Sequence, residues 1–331
     1  MERNKIKVGI IGVGALGRHH ARLHALNEKV EVVGVYDANP TVAGAVSAEF
    51  KLKAFDDINE LADGCEALSV AVPSNLHNQV TVPLLKAGKH LLIEKPIATT
   101  VEDAKEMVSI ALKNKLVLGV GHVERFNPVM VYLESRADKA RFIDVERFAP
   151  YPPERPGMHP RGTEVSVVLD LMIHDLDLLL HLVDSQVERV DANGLPALSD
   201  TEDIVNARIL FENGCVANVN TSRIAPAASR KIHVFYTDSY LALDYAKRSG
   251  TLYSKDKDAM RVNRERVPVE DQNALQKELE NFVDCVQTAR ETGTPPPTKV
   301  SGEKGLAALE LAIRIEDTIR AHNEKYKIHF D

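Results

Sequence analysis

Three observations on the 331 residues predict an α/β fold of two domains, a parallel sheet with helices on both faces followed by an antiparallel or mixed sheet. Short Val/Ile/Leu runs alternate with helix-length segments through residues 1–125, the rhythm of βαβ units. A turn rich in glycine joins the first run to the first helix. Beyond Pro128 the rhythm changes to closely spaced strands with turn signals, and two long helices close the chain.

Taken in order, strands are expected at residues 7–11, 30–36, 67–72, 90–93 and 116–119, mostly unbroken apolar runs such as a sheet covered on both faces requires. Helical apolar spacing covers 16–26, 76–86 and 101–113, and Gly88 stands where the second helix must stop. After Pro128 a helix leads into a strand at 142–148 and then a proline-rich loop, 150–161. Residues 166–183 have helical character and are apolar nearly all round. Between 187 and 253 strands are separated by turns at Glu212-Asn213-Gly214 and Arg248-Ser249-Gly250. The last helices, 273–289 and 303–323, flank Pro295, Pro296 and Pro297, which cannot lie inside a helix. The expected domains are 1–125 and 126–331, with helix 303–323 able to pack back on the first.

Composition narrows the function classes. The net charge of −7 and the absence of a dense Lys/Arg run argue against a nucleic-acid partner and for a small molecule. Cys65, Cys215 and Cys285 are far apart and form no CxxC pair, so they read as reduced thiols without a disulfide framework or zinc knuckle. The first residues lack a signal-peptide pattern and no apolar run reaches membrane-spanning length, so a cytoplasmic protein without a membrane partner is expected.

The first strand runs into Gly12-Val13-Gly14-Ala15-Leu16-Gly17, a GxGxxG between a buried strand and a helix. There glycines allow a tight turn, close approach of backbone to a pyrophosphate and close helix packing, while the helix N-terminus offers N–H groups to the phosphates. Asp37 ends the second strand about twenty residues later, where a carboxylate accepts the adenosine ribose hydroxyls and repels a 2′-phosphate. The first domain is therefore expected to be a Rossmann domain binding NAD through Gly12, Gly14, Ala15, Leu16, Gly17 and Asp37. The competing reading is a plain turn with Asp37 capping the next helix.

Two further strand ends carry polar residues where ligands of open α/β sheets gather: Pro73, Ser74, Asn75 and His77 after the third strand, Glu94 and Lys95 after the fourth. They are assigned to the cofactor site, against the alternative of an ordinary surface loop. In 166–183 the polar exceptions are Asp170, His174, Asp175, Asp177 and His181. At ~100° per residue all but Asp175 form one stripe, which must face a cleft, a partner or a ligand if the helix is buried. A solvent-facing stripe is the bland alternative, and an ion held by Asp and His one turn apart the third, for which no further ligand cluster is visible.

These residues together resemble the glucose-fructose oxidoreductase, inositol dehydrogenase and rhizopine-catabolism (Gfo/Idh/MocA) oxidoreductases over nearly the whole chain. The resemblance rests on the glycine turn, Pro73 to His77, Glu94-Lys95-Pro96, the Asp170-x-x-x-His174-x-x-Asp177 pattern, Glu278 to Phe282 and the final helix. It implies a Rossmann domain followed by an α/β domain with an open, mostly antiparallel sheet that makes homodimers or homotetramers. It also implies hydride transfer between nicotinamide and a sugar or cyclitol carbon. In that chemistry Lys95 hydrogen-bonds the reacting hydroxyl, His174 is the general base, and Asp170 holds substrate or orients the base. Met172 departs from the family, which often has glycine there.

His122, Arg125 and Asn127 follow the last Rossmann strand and are expected to line the cleft. Their stretch, with 278–282, most resembles the nucleotide-sugar branch that oxidises the 3-hydroxyl of UDP-linked amino sugars. Arg155 and Arg161 are then candidates for the diphosphate, against a solvated loop. The rivals are a free-sugar or myo-inositol dehydrogenase, an NAD-dependent glycosidase and a non-enzymatic nucleotide-binding sensor.

Overall fold

The computed structural model describes residues 5–136, 139–154, 160, 162–256 and 261–328. They divide into two compact units: residues up to Val123 together with Asn273–Leu306, and Glu124–Gln272 together with the chain from Ala307 onward.

In the first unit β1 (Ile6–Ile11), α1 (Gly17–Ala25), β2 (Val30–Tyr36), α2 (Pro40–Phe50), α3 (Ile58–Asp63), β3 (Ala67–Val70), α4 (His77–Lys86), β4 (His90–Glu94), α5 (Val101–Lys113) and β5 (Leu118–Gly121) follow one another. All five strands are parallel, in the order β2-β1-β3-β4-β5. The chain leaves β1 for one neighbour and later returns to its other side, so a crevice opens beyond the carboxyl ends of β1 and β3. Strand residues such as Val8, Ile10, Val35, Leu68 and Ile93 are fully buried, which accounts for the unbroken apolar runs. Helices α2 and α3 were not among the expected elements. In α2 only Ala43 and Val46 are buried, so its apolar period is faint, and α3 has six residues. Their starts are nonetheless capped, by Asn39 onto the Thr41 N–H and by Asp57 onto Asn59 and Glu60. Strand β5 starts two residues later than expected, at Leu118 rather than 116.

The second unit holds α6 (Pro128–Glu134), β6 (Phe142–Phe148), α7 (Ile173–Val183), β7 (Val187–Leu195), β8 (Ile204–Phe211), β9 (Val216–Ser222), β10 (Ser229–Phe235), β11 (Ser239–Asp244), β12 (Ser249–Lys255) and β13 (Val262–Arg266). They make an eight-stranded sheet, β13-β12-β11-β10-β6-β9-β8-β7, antiparallel throughout except for the β6–β9 pair. Burial alternates along β6 and β8, and the inward set, Ile143, Val145, Val205, Ala207 and Ile209 among it, forms the apolar face.

The compact units divide near the expected boundary, 1–125 and 126–331, and differ from it in where the last two helices go. Helix α8 (Ala274–Thr292) joins the first unit, where Leu279, Phe282, Val283 and Val286 share one apolar core with Ile6, Val8, Leu23, Ala67 and Leu92. Helix α9 (Gly302–Tyr326) begins in that unit too: a Cβ on Gly305 would come within 2.5 Å of Val120. From Ala307 its residues belong to the second unit, where Arg314 donates to the carbonyls of Val187 and Glu188. No helix among the described residues is long and apolar enough to cross a membrane.

Candidate active site

The three glycines of the turn differ in what requires them. Gly12 has φ +79°, the left-handed region, and a Cβ there would lie 2.7 Å from the Ala71 carbonyl oxygen. At Gly17 a Cβ would fall 1.8 Å from the Gly12 oxygen, so only glycine lets α1 start this close to the turn. At Gly14 nothing among the described residues lies within 4 Å of such a Cβ. No protein contact demands glycine there, and the space is where a pyrophosphate would meet the backbone. Gly14 and Ala15 are exposed and Leu16 half-buried; no side chain caps α1 and its first turn holds no acidic residue. An uncapped, uncrowded helix N-terminus suits a dinucleotide's phosphates.

Asp37 stands at the rim of this cradle, half-buried. One oxygen accepts the Val13 N–H at 2.9 Å and the other the Asn39 N–H at 2.9 Å, which ties the end of β2 to the glycine turn. Capping of α2 falls to Asn39 instead. Each Asp37 oxygen keeps a second lone pair for a ribose hydroxyl, so the residues present fit NAD.

At the end of β3, Pro73 and Asn75 are exposed and Ser74 half-buried. His77, expected at the cofactor site, is set differently. It is buried, with Nδ1 2.8 Å from the Pro96 carbonyl oxygen and Nε2 3.1 Å from that of Val72, so its ring joins the ends of β3 and β4. Burial pushes its pKa below the ordinary imidazole value, against the pull of those two carbonyls. Glu94 is likewise buried under the strand end, 3.1 Å from His20 Nε2, and accepts the Lys95 N–H at 3.3 Å. Burial would raise its carboxyl, but the His20 hydrogen bond and the charges of His20 and Lys95 hold it below the usual carboxylate value. Both residues support the turn that presents Lys95, which is half-buried; the Lys95–Pro96 peptide is cis.

In the second unit the expected stripe divides. Residues Val168–Met172 form a π-helical turn and the α-helical period starts only at Ile173, so the stripe is not that of one continuous α-helix. Asp170 and His174 are half-buried. Asp177 is 2% exposed and faces Arg125 Nη1 at 3.5 Å, while His181 Nε2 lies 3.2 Å from Glu134, which also accepts Arg125 Nε at 3.3 Å. The lower half of the stripe therefore has protein partners, Asp177 inside the protein and His181 at its surface.

Arg125, expected as a substrate ligand, belongs to the same cluster: its guanidinium is buried and engaged by carboxylates. Asn127 is engaged too, donating to Glu124 and to the Tyr245 carbonyl and accepting the Val129 N–H that starts α6. His122, in the first unit, is fully buried. Met172 is buried as well, closing the π turn. Arg155 and Arg161 lie outside the described residues.

One buried network escaped the sequence reading. Arg147 on β6 binds Asp175 through Nε at 2.7 Å and Nη2 at 3.0 Å, and reaches Glu124 at 3.4 Å; the Tyr245 hydroxyl donates to Asp175 at 2.5 Å. Burial would lower the Arg147 pKa, but Asp175, Tyr245 and Glu124 raise it well above the ordinary value. Burial, with Asp175 and Glu124 close by, raises that of Tyr245, so its phenol stays protonated. A signal was present: Arg147 falls on the same face of its strand as Ile143 and Val145, so an inward arginine needed a carboxylate, and Asp175 lay off the stripe.

Fold and cradle together define the class, an oxidoreductase built on an NAD-binding Rossmann unit. Residues 6–122 match the model of the oxidoreductase family with an NAD-binding Rossmann fold, and residues 139–242 that of the GFO/IDH/MocA C-terminal domain. The UDP-N-acetylglucosamine 3-dehydrogenase of Acidithiobacillus ferrooxidans is 32% identical over 96% of this chain and 98% of its own. A solved structure of that enzyme superposes with a TM-score of 0.86 at 31% identity, over 96% of this chain and 98% of that one. The inositol 2-dehydrogenase of Rhizobium meliloti is 25% identical over 98% of both chains. A levoglucosan dehydrogenase solved with NADH and L-sorbose shares the fold, with a TM-score of 0.84 at 19% identity over 96% of this chain and 97% of that one. The chain belongs to the Gfo/Idh/MocA oxidoreductase family, and it is an NAD-dependent enzyme of the kind that acts on sugar hydroxyls.

Proposed function

We propose that the enzyme oxidises the 3-hydroxyl of a UDP-linked amino sugar. The observation that carries this reading is the full-length likeness, in both units, to UDP-N-acetylglucosamine 3-dehydrogenase. NAD, when bound, supplies the hydride acceptor. Gly14, Ala15 and Leu16 receive its phosphates, Asp37 its ribose, and Pro73, Ser74 and Asn75 border it. Lys95 hydrogen-bonds the reacting hydroxyl and stabilises the negative charge that grows on its oxygen. His174 removes the hydroxyl proton, and Asp170 keeps the sugar or the imidazole in line. Arg155 and Arg161 are assigned to the diphosphate.

The test is absorbance of NADH with NAD and a panel of UDP-amino sugars, hexoses and inositols. Turnover confined to UDP-sugars and lost in Lys95→Ala and His174→Ala supports the reading. Turnover on free polyols instead assigns the enzyme to the inositol or glucose type, and tight NAD binding with no net NADH on any substrate points to a glycosidase or sensor. If alanine at both Arg155 and Arg161 leaves the KM for UDP-N-acetylglucosamine unchanged, their role is wrong.

The assembly proposed is a cytoplasmic homodimer or homotetramer through the outer face of the second sheet. Its support is an aromatic row on that face, where Phe235 stacks on Tyr240 at 4.5 Å and Tyr240 on Tyr253 at 5.3 Å between ring centroids, all half-buried. A monomeric mass by light scattering at micromolar concentration would refute it.

A further inference from the structure

Arg223 follows β9 and is 2% exposed, yet its side chain lies far along the chain from Asp170 and His174. All the N–H groups of its guanidinium are in use. Nε donates to Asp203 at 2.6 Å, Nη1 to the carbonyls of Gly162 and Val165 at 2.8 Å each, and Nη2 to the hydroxyls of Ser199 and Thr201 at 2.8 Å each. Asp203 is fully buried and accepts in addition the N–H groups of Ala197, Leu198 and Ser199. Burial opposes its ionisation, but these donors hold its carboxyl well below the ordinary value, so the pair is ionic.

What the pair grips is the loop that enters the π turn. The Gly162 and Val165 carbonyls lie outside any helix or strand, and Arg223 gives both a partner inside the protein. Gly162 in turn meets Asp170. It has φ +82°, and a Cβ on it would stand 2.5 Å from Asp170 Oδ2 and 2.8 Å from Cγ, so the carboxylate rests directly on the glycine backbone. A movement of the Gly162 carbonyl is thus a movement of the surface on which the Asp170 carboxylate lies.

We infer that Arg223, anchored by Asp203, is a positioning residue for Asp170, acting through the backbone of Gly162. The inference rests on the reading of Asp170 as a group that works on substrate. Two substitutions reach the link from opposite ends. Arg223→Lys keeps the charge but cannot span two carbonyls and Asp203 with one ammonium. Gly162→Ala puts a methyl group where the carboxylate lies and strains the left-handed backbone.

The experiment is a double-mutant cycle with Asp170→Asn, on the full chain with NAD and UDP-N-acetylglucosamine. Arg223→Lys and Gly162→Ala are each expected to lower kcat/KM by about tenfold to a hundredfold, as small misplacements of a reacting group do. NAD affinity by fluorescence titration should stay within about twofold. In the Asp170→Asn background the same substitutions should change kcat/KM by less than about twofold, because the group they displace is already lost. Effects that multiply with Asp170→Asn, or full activity in Arg223→Lys and Gly162→Ala while Asp170→Asn is impaired, overturn the inference alone. Wild-type turnover in Asp170→Asn overturns the reading of Asp170 and the inference with it. If Arg223→Lys does not fold, Gly162→Ala completes the cycle by itself.

Discussion

At the residue scale, the glycine turn separates what folding needs from what the cofactor needs. Gly17→Ala would force a methyl group to 1.8 Å from a backbone oxygen, so the start of α1 must shift. Gly14→Ala meets nothing within 4 Å among the described residues. The expected outcome is a Gly14→Ala enzyme with a wild-type Tm but NAD affinity at least about tenfold weaker, and a Gly17→Ala enzyme impaired in both, as read by thermal melting and NAD titration. A second residue with a measurable signature is His24 on α1, fully buried with Nε2 3.0 Å from the Ser69 hydroxyl. Burial, helped by the neighbouring His20 charge, pushes its pKa down to about 3. In the unfolded chain an imidazole titrates near ~6.5. Between those values only the unfolded state takes up the proton, so stability is full above about pH 6.5 and is lost as pH falls toward 3. From pH 7.5 to 5.5 the loss assigned to His24 is about 1 kcal/mol. Urea unfolding of wild type and His24→Gln at the two pH values should differ by that amount, and equal losses would show that His24 is not the group titrating.

At the element scale, the buried charges of the second unit fasten α7 to β6. Replacing Arg147 by Met takes from buried Asp175 its two-pronged cation and should cost about 3–5 kcal/mol of stability, whereas Arg147→Met with Asp175→Leu should recover most of it. Urea midpoints decide the matter; a single substitution costing under about 1 kcal/mol would mean that solvent reaches the pair. The strands and helices with a strong period were legible because burial on both faces, or on one stripe, dictates the residue types. Helix α2 was not, its buried positions being small. The π turn was invisible for a different reason. Counting residues at ~100° each assumes one helical period, and a change of period ahead of Ile173 leaves no mark in polarity.

At the scale of the whole molecule, the cradle for NAD was readable because each part is local: a turn, a strand end, a carboxylate. The settings of Arg125, Asn127 and His77 were not legible, because sequence places a polar residue near a strand end but does not say whether it points outward or braces the backbone. The place of α8 was not legible because it completes a core begun more than two hundred residues earlier, a pairing that no local pattern encodes. That return bears on how the protein is made. Domains ordinarily fold in turn as they leave the ribosome, but here the sheet of β1–β5 emerges long before the helix that covers Ile6, Val8, Leu23 and Leu92. A fragment of residues 1–123 should therefore bind a hydrophobic dye and aggregate, and one with 273–306 fused after it through a flexible linker should not; equal solubility of the two would show the cover to be dispensable. In the cell the nucleotide-binding unit stays unfinished until the second sheet has been synthesised. Nascent chains thus carry an uncovered apolar surface through most of translation, and a chaperone has that long to find it.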